Sequence, residues 1–506
     1  MIPGIQLKDC EDVMIFRNPV ISGYYPDPSV CKANGKYYLV TSSFHFFPGV
    51  PLFESEDLIN WEQIGYCLTR KSQVPLDDAH SSGGIFAPTI RYNDGRFYMV
   101  TTNTTAGGNF YVYTDDIYGE WSEPIYVKQG GIDPSLYFED GKAFLTSNGE
   151  DAEGVPVILQ CEIDIETGEM LTESKALWTG SGGRYLEAPH IYKINCEYYL
   201  MAAEGGTEFG HMVTYARGSS VYGPFTPYEK NPVLTNRNLG GYIVQGVGHA
   251  ELVEDYDGNW WLFHLGFRQI GKWLTFHHLG REVFLMPVTF DEDGWFTVGE
   301  NGTTTQNVDT SKIPEHVEQR FKNVYTFENT DRDKDWRFIR SRNDENYVFG
   351  KDYIRIKCSG DTLDEPKGVP AFIGLHQKEF DFELSVKVKI ADGEAGVTMY
   401  MDENHRYDLV AIKTNTGCSV FLDLNIGDIR HNENNIAVNS DVVSLRITGD
   451  ALKYKFFCGN VSLGTAQTRY LSSEVAGGFT GVLIGLYAQN GESFSEFTGF
   501  RLEYKN

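Results

Sequence analysis

The stretch Asp27-Pro-Ser-Val-Cys-Lys-Ala-Asn-Gly-Lys-Tyr-Tyr-Leu-Val40 decides the fold, because its layout recurs four more times along the chain. The later copies are Ala87-Pro-Thr-Ile-Arg-Tyr-Asn-Asp-Gly-Arg-Phe-Tyr-Met-Val100, Asp133-Pro-Ser-Leu-Tyr-Phe-Glu-Asp-Gly-Lys-Ala-Phe-Leu-Thr146, Ala188-Pro-His-Ile-Tyr-Lys-Ile-Asn-Cys-Glu-Tyr-Tyr-Leu-Met201 and Ala250-Glu-Leu-Val-Glu-Asp-Tyr-Asp-Gly-Asn-Trp-Trp-Leu-Phe263. Ten residues separate the first position from the start of the second run in every copy, at Tyr37, Phe97, Ala143, Tyr198 and Trp260. Each copy reads as a short strand, a turn with glycine near its tip (Cys196 in the fourth) and an aromatic strand, which is a β-hairpin signature. The starts lie 60, 46, 55 and 62 residues apart, and periods of this size with several strands per unit mean a propeller or a solenoid. Short, aromatic-rich strands favour radial blades. Coincidence among glycine-rich turns is the competing reading, and identical internal spacing in five copies argues against it.

The expected architecture is therefore all-β: a five-bladed β-propeller over residues 1–305, a linker over 306–320 and a β-sandwich, jelly-roll-like, over 321–506. Asn301 to Glu318 is a polar stretch that reads as connection rather than core. Beyond it the alternation is clean, as in Phe382-Glu-Leu-Ser-Val-Lys-Val-Lys-Ile, Val443-Ser-Leu-Arg-Ile and Leu452-Lys-Tyr-Lys-Phe. Period two with one apolar face marks half-buried antiparallel strands.

Composition agrees and narrows the partners. With 41% apolar and 22% charged residues in 506, disorder is excluded. Aromatics reach 14% and there are 53 glycines, as short strands and tight turns require. A formal charge of -27, from 43 basic against 70 acidic residues, opposes a phosphate backbone or an anionic leaflet. No nucleic-acid or membrane partner is expected, whereas a small neutral oligosaccharide fits. Met1 to Arg17 shows no basic region followed by an apolar core, and no run of about 20 apolar residues exists. The eight cysteines (10, 31, 67, 161, 196, 358, 418 and 458) form no CxxC pair and read as reduced thiols, so a cytoplasmic address is expected.

Radial symmetry gathers the first positions of the blades around one opening. Those positions carry Asp27, Ala87 with Phe86 before it, Asp133, Glu187 before Ala188, and His249 before Ala250. Taken singly, each Asp-Pro is readable as a turn or capping carboxylate, and Glu187 as an ion-pair partner. Together they crowd like charges, which is costly and raises pKa values, and such clusters mark functional sites.

The ordered motifs Tyr-Pro-Asp27-Pro-Ser, Gly-Ile-Asp133-Pro-Ser-Leu, Leu-Glu187-Ala-Pro-His, Gly-His249-Ala and Leu-Gly-Arg281-Glu-Val-Phe-Leu resemble glycoside hydrolase family 43. The resemblance is to two-domain β-xylosidases and α-L-arabinofuranosidases and runs over essentially the whole chain. It implies an exo-acting, inverting hydrolase with Asp27 as general base, Glu187 as general acid and Asp133 as a third acid that positions Glu187. In that reading a negative charge on Asp133 keeps Glu187 protonated. Inversion places the two reacting carboxyls about 6.5–9.5 Å apart, with water between. The resemblance also places His249 beneath the sugar and Arg281 on a sugar hydroxyl near the acid; their bland readings are a core histidine and a structural ion pair. Ring-bearing pocket candidates are Phe44, Phe46, Phe47 and Phe86, since sugar C–H faces pack on rings. Here the chain departs from the usual xylosidase pattern: Ser-Ser-Phe44-His45-Phe46-Phe47-Pro-Gly stands for Ser-Thr-Phe-Glu-Trp-Phe-Pro-Gly, and Ile-Phe86-Ala-Pro for Val-Trp-Ala-Pro. Gly477-Gly-Phe479-Thr-Gly-Val resembles a sandwich loop that lends a ring to the active-site mouth in two-domain relatives. An ordinary glycine-rich turn is its alternative.

The favoured activity is release of terminal β-D-xylose, with α-L-arabinofuranose release, or both, as the alternative. A non-catalytic sugar-binding protein on the same fold is a further alternative, and so is a retaining fructosidase, whose carboxyls would stand about 5–5.5 Å apart. The chemistry demands no cofactor. No metal-ligand spacing occurs, and the adjacent His277 and His278 cannot both face one site on a strand. The resemblance leaves room for a calcium ion near His249 and for a homo-oligomer.

Overall fold

A computed structural model describes residues 14–271, 273–313 and 317–505. Cys10, most of the Met1 to Arg17 segment and residues 314–316 of the expected linker lie outside the described residues. Among the described residues, helix is confined to the single turn Ser473–Ala476 and two short 3-10 turns. Everything else regular is strand, arranged as a five-bladed propeller followed by a two-sheet sandwich.

Each blade is a four-stranded antiparallel sheet whose strands follow chain order. Blade 1 comprises Ser29–Ala33, Lys36–Val40, Gly49–Ser55 and Glu62–Leu68, and the later blades begin at Thr89–Asn93, Ser135–Glu139, Glu187–Ile194 and Val244–Glu254. These first strands touch one another in a closed ring, blade 5 returning to blade 1. The second strands explain the aromatic content. Their side chains alternate between two faces, and both faces are buried against neighbouring blades. Tyr37 and Leu39 join the cluster shared with blade 5, whereas Tyr38 and Val40 join that shared with blade 2. Phe97 and Met99 face back to blade 1, while Tyr98 and Val100 face blade 3. A strand buried on both faces reads as a continuous apolar run, and each ring so buried stabilises the fold by roughly 1.5–3 kcal/mol.

The ring is closed by the chain's own beginning. Met14–Arg17 pairs antiparallel with Asn307–Thr310, and Ile21 bridges Val283 of blade 5. The Asn18 amide donates to the carbonyls of Leu285 and Thr305 and accepts from the Leu285 N–H. Residues 307–310, read from sequence as connection, are thus a strand. They pair with residues 14–17 and bury Val308 in the core, but one apolar residue in four gave no apolar alternation to reveal the strand.

The sandwich stacks a six-stranded sheet, including Phe372–His376, Glu394–Asp402 and Leu483–Gln489, on a sheet of eight that includes Phe382–Lys389 and Phe494–Tyr504. Its core is continuous with that of blades 1 and 2. Phe46–Phe47, in the connection between the second and third strands of blade 1, pairs with Phe338–Ile339 and ties the blade to the second domain. A buried ion-pair cluster locks the same boundary. Arg268, 1% exposed, bonds Glu282 in its own blade at 2.8 Å and Glu379 across the interface at 2.6 Å.

Candidate active site

Backbone geometry at the inner strand ends aims the acids at the axis. Asp27, Asp133, Ala188 and His249 all sit at positive φ, 58°, 53°, 51° and 47°. Such conformations cost non-glycine residues roughly 1–3 kcal/mol and concentrate at functional sites. Register shifts fall at the same places, between Glu187 and His190 in blade 4 and around Gly248 in blade 5. The extra residue turns each side chain out of the pleat toward the opening. As a result Asp27, Asp133, Glu187, His249, Arg281, Phe44, Phe86 and Phe479 line one small pouch at the end of the propeller axis.

Within it, Asp27 is built to be ionised. The Ser42 hydroxyl donates to its Oδ2 at 2.5 Å, Arg281 Nη1 donates to its Oδ1 at 3.1 Å, and His249 Nδ1 lies 3.6 Å away. Burial pushes its pKa up, but the Arg281 charge, His249 and the Ser42 hydrogen bond together hold it below the ordinary value. The other two acids go the opposite way. Glu187 is pushed up to about 7, first by burial and then by the Asp27 charge, with Arg281 opposing. Asp133 is raised well above the usual range by burial and by the charges of Glu187 and Asp27, against the Ala188 N–H that donates to its carboxylate. The charge expected to keep Glu187 protonated was that of Asp133. In the structure the Asp27 charge raises Glu187, and Asp133 is itself raised by burial and by its acidic neighbours. Environments that push neighbouring carboxyls apart in this way assign acid and base.

Burial and the nearby Arg281 lower the His249 pKa, with Asp27 opposing. The preceding Gly248 packs against the His211 ring, and a Cβ there would stand only 2.4 Å from His211 Nδ1. Arg281 also donates to Thr207 Oγ1 at 2.9 Å, while its Nη2 is buried without a partner in the protein. Its guanidinium stands 5.6 Å from the Phe44 ring centre and 5.2 Å from that of Phe479. Phe479 crosses over from the sandwich, held by its N–H on Ser82 Oγ (2.8 Å) and its carbonyl on the Tyr24 hydroxyl (2.5 Å). Its ring lies 5.6 Å from Phe44 and 5.8 Å from Phe86. Phe46 and Phe47 do not reach the pouch. They pack into the interdomain clusters with Ile339 and Phe338, so their candidacy as sugar-facing rings is corrected.

Glu187, Thr207, Arg281 and Phe479 are shared with a second, larger cavity of about 480 Å³. This cleft runs between Tyr185, Glu208, Phe209 and Phe267 of the propeller and Ser473 and Glu474 of the sandwich. His277 and Glu474 pair across it at 2.8 Å, with His277 stacked on Phe267. Ser42, Thr207 and His211 were missed from sequence. The only local signal was the Gly205-Gly206-Thr207 run, a glycine pair in a loop between strands.

The residues near His249 do not fit a calcium ion. Calcium takes about 6–8 oxygen ligands, whereas the groups here are two imidazoles and a carboxylate already engaged by Arg281 and Ser42. Among the described residues no cluster of three His, Cys, Asp or Glu is arranged to hold a metal.

Comparison with known proteins matches residues 16–296 to Glycosyl hydrolases family 43 and residues 324–502 to the Beta xylosidase C-terminal Concanavalin A-like domain. The chain is 38% identical to a non-reducing end alpha-L-arabinofuranosidase of Bacteroides ovatus, over 94% of this chain and 92% of that one. It is 36% identical to a xylosidase/arabinosidase of Butyrivibrio fibrisolvens, covering 97% and 100%. Among solved structures, the xyloglucan-locus family 43 protein of Bacteroides ovatus superposes with a TM-score of 0.89 at 36% identity, covering 97% of this chain and 100% of that one. A xylan beta-1,4-xylosidase of Bacillus halodurans gives 0.88 at 27% identity, with the same coverage. Both domains match in order, and the motifs that line the pouch fall inside the first match: the chain belongs to glycosyl hydrolases family 43.

Proposed function

We propose that the protein hydrolyses terminal pentosides from the non-reducing ends of short arabinoxylan- or xyloglucan-type oligosaccharides, releasing both α-L-arabinofuranose and β-D-xylose with inversion. The observation that carries the reading is the opposed tuning of two carboxyls in one pouch, Asp27 held low and Glu187 raised to about 7. Near neutral pH the first is a base and the second an acid. The Asp27 carboxylate takes a proton from water as the water oxygen bonds to the anomeric carbon. The bond from that carbon to the leaving oxygen breaks, and Glu187 gives its proton to that oxygen. Each such proton transfer is worth about 10²–10⁴-fold. Asp133, bonded to the Ala188 N–H, positions the acid next to it in the chain. The unpartnered Arg281 Nη2 and the His249 ring offer hydrogen bonds to sugar hydroxyls. No step calls for a metal or cofactor.

Exo action follows from shape. Phe44, Phe86 and Phe479 wall a small pouch that suits a chain end, and Glu187, Thr207, Arg281 and Phe479 join it to the larger cleft. That cleft lies within the roughly 300–1,000 Å³ that takes ligands larger than one sugar, so the leaving group is an oligosaccharide. Both pentoses are assigned because relatives named for arabinofuranosidase and for xylosidase/arabinosidase activity align over almost the entire chain. A cytoplasmic address belongs to the proposal, supported by seven unpaired thiols among the described residues, six of them buried. No helix in the described residues is long and apolar enough to cross a membrane.

The test is paired hydrolysis of 4-nitrophenyl α-L-arabinofuranoside and 4-nitrophenyl β-D-xyloside by the wild type and by Asp27→Ala and Glu187→Ala. Turnover of both substrates, with Asp27→Ala inactive on either, is expected. Binding of pentose without turnover would instead make the protein a sugar-binding relative on the same fold.

A further inference from the structure

Glu204 ends the strand Glu197–Glu204 in blade 4, beside Ala203, whose register partner is Glu187. Its side chain is 0% exposed, and among the described residues no cation pairs with it. Neutral donors satisfy it instead. The Ser181 N–H and Ser181 hydroxyl donate to Oε1 at 2.8 and 2.9 Å, the Thr214 hydroxyl donates to the same oxygen at 2.7 Å, and the Gly183 N–H donates to Oε2 at 2.5 Å. An uncompensated buried carboxylate is expensive. It persists where its geometry is needed, and here the partners define the need.

All but Thr214 lie in the segment that runs into Tyr185, Leu186 and Glu187. Gly183 has no room for a side chain, because a Cβ there would stand 2.7 Å from Glu204 Oε2. The same segment is laced to the residue after Glu204. The Gly205 N–H donates to the Arg184 carbonyl at 2.7 Å, and Arg184 Nε donates to the Gly205 carbonyl at 3.1 Å. Two residues further on, Thr207 accepts from the Arg281 guanidinium that holds Asp27. Glu204 therefore stands at the junction of two loops, one delivering Glu187 and the other steadying Arg281.

We infer that Glu204 is a positioning residue for the general acid: its carboxylate clamps the Ser181–Gly183 turn so that the Glu187 proton faces the leaving oxygen. The inference rests on the assignment of Glu187 as that acid. A leaving-group series separates positioning from mere structure, because a dinitrophenolate departs without a proton whereas a phenolate needs one. Wild type, Glu204→Gln and Glu187→Ala are compared on dinitrophenyl and phenyl pentosides, with folding checked by near-UV circular dichroism. Glu204→Gln keeps one acceptor and loses the other. It is expected to lower kcat/KM on the phenyl pentoside by about 10²-fold, the low end of general-acid catalysis, and on the dinitrophenyl pentoside at least tenfold less. If Glu204→Gln does not fold, Ser181→Ala and Thr214→Val, each deleting one donor, must show a smaller bias of the same direction. Equal losses on both substrates, with Glu187→Ala selective, would overturn the role of Glu204 alone. A non-selective Glu187→Ala would overturn the acid assignment, and the role of Glu204 with it.

Discussion

Replacing Glu187 with glutamine should make the folded protein more stable at alkaline pH while abolishing its chemistry. In the folded state the Glu187 carboxyl titrates near 7 against an ordinary value of 4.5. Below pH 4.5 the group is neutral whether the chain is folded or not, and burial costs it nothing extra. As pH rises from 4.5 through 7 the unfolded chain ionises first, and the folded state loses stability until its own carboxyl ionises. At about 1.36 kcal/mol per pKa unit the full penalty is about 3 kcal/mol by pH 8. Glutamine is close in shape and carries no charge, so it escapes this penalty. Urea unfolding of wild type and Glu187→Gln at pH 4 and pH 8, followed by near-UV circular dichroism from the blade aromatics, measures the difference. Matching stabilities at pH 4 and a gain of up to about 3 kcal/mol for the variant at pH 8 are expected. A variant equal to or weaker than wild type at pH 8 would show that burial and the Asp27 charge do not raise this carboxyl, and would remove the basis for its role as acid.

The pH dependence of kcat/KM should fall on its basic side with an apparent pKa near 7, leaving roughly a tenth of the maximum at pH 8. Arg281→Gln should move both limbs to higher pH, because Arg281 lowers the pKa of Asp27 and of Glu187; limbs that stay in place would contradict that electrostatic role. Gly248→Ala drives a methyl into the His211 ring and should cost about 1–3 kcal/mol in chemical unfolding, with reduced turnover as His249 shifts; unchanged stability would mean the ring has space the packing denies it. Phe479→Ala should raise KM for aryl pentosides by about tenfold, the effect of roughly 1.4 kcal/mol of lost ring contact; an unchanged KM would place the sandwich ring outside the sugar site.

The propeller was legible because its repeat is a packing rule written in sequence. Tyr37 and Tyr38 are both buried, on opposite blade faces, and five blades need the same pair of positions filled. The three acids were legible because the repeat fixes where the inner strands begin, and the turned-out residue sits at each beginning. What was hidden depends on contacts that no period encodes. Phe44 and Phe46 are two residues apart, yet only Phe44, at φ 50°, faces the pouch while Phe46 joins the domain boundary. Ser42, Thr207 and His211 lie on the connections between the second and third strands of blades 1 and 4, outside the repeated hairpin. How far each acid is raised turns on how deeply it is buried, which the order of residues does not disclose. Strand 307–310 was hidden because its pairing with residues 14–17 joins distant parts of the chain and only Val308 of its four residues is apolar.

The cooperation of Asp27 with Glu187 is tested most directly by the configuration of the sugar first released. Proton NMR recorded during hydrolysis of an aryl β-D-xyloside, before mutarotation equalises the anomers, should show α-xylose appearing ahead of β-xylose. β-Xylose appearing first would mean attack by the protein on the sugar in place of water, and would contradict the assignment of Asp27 as the base.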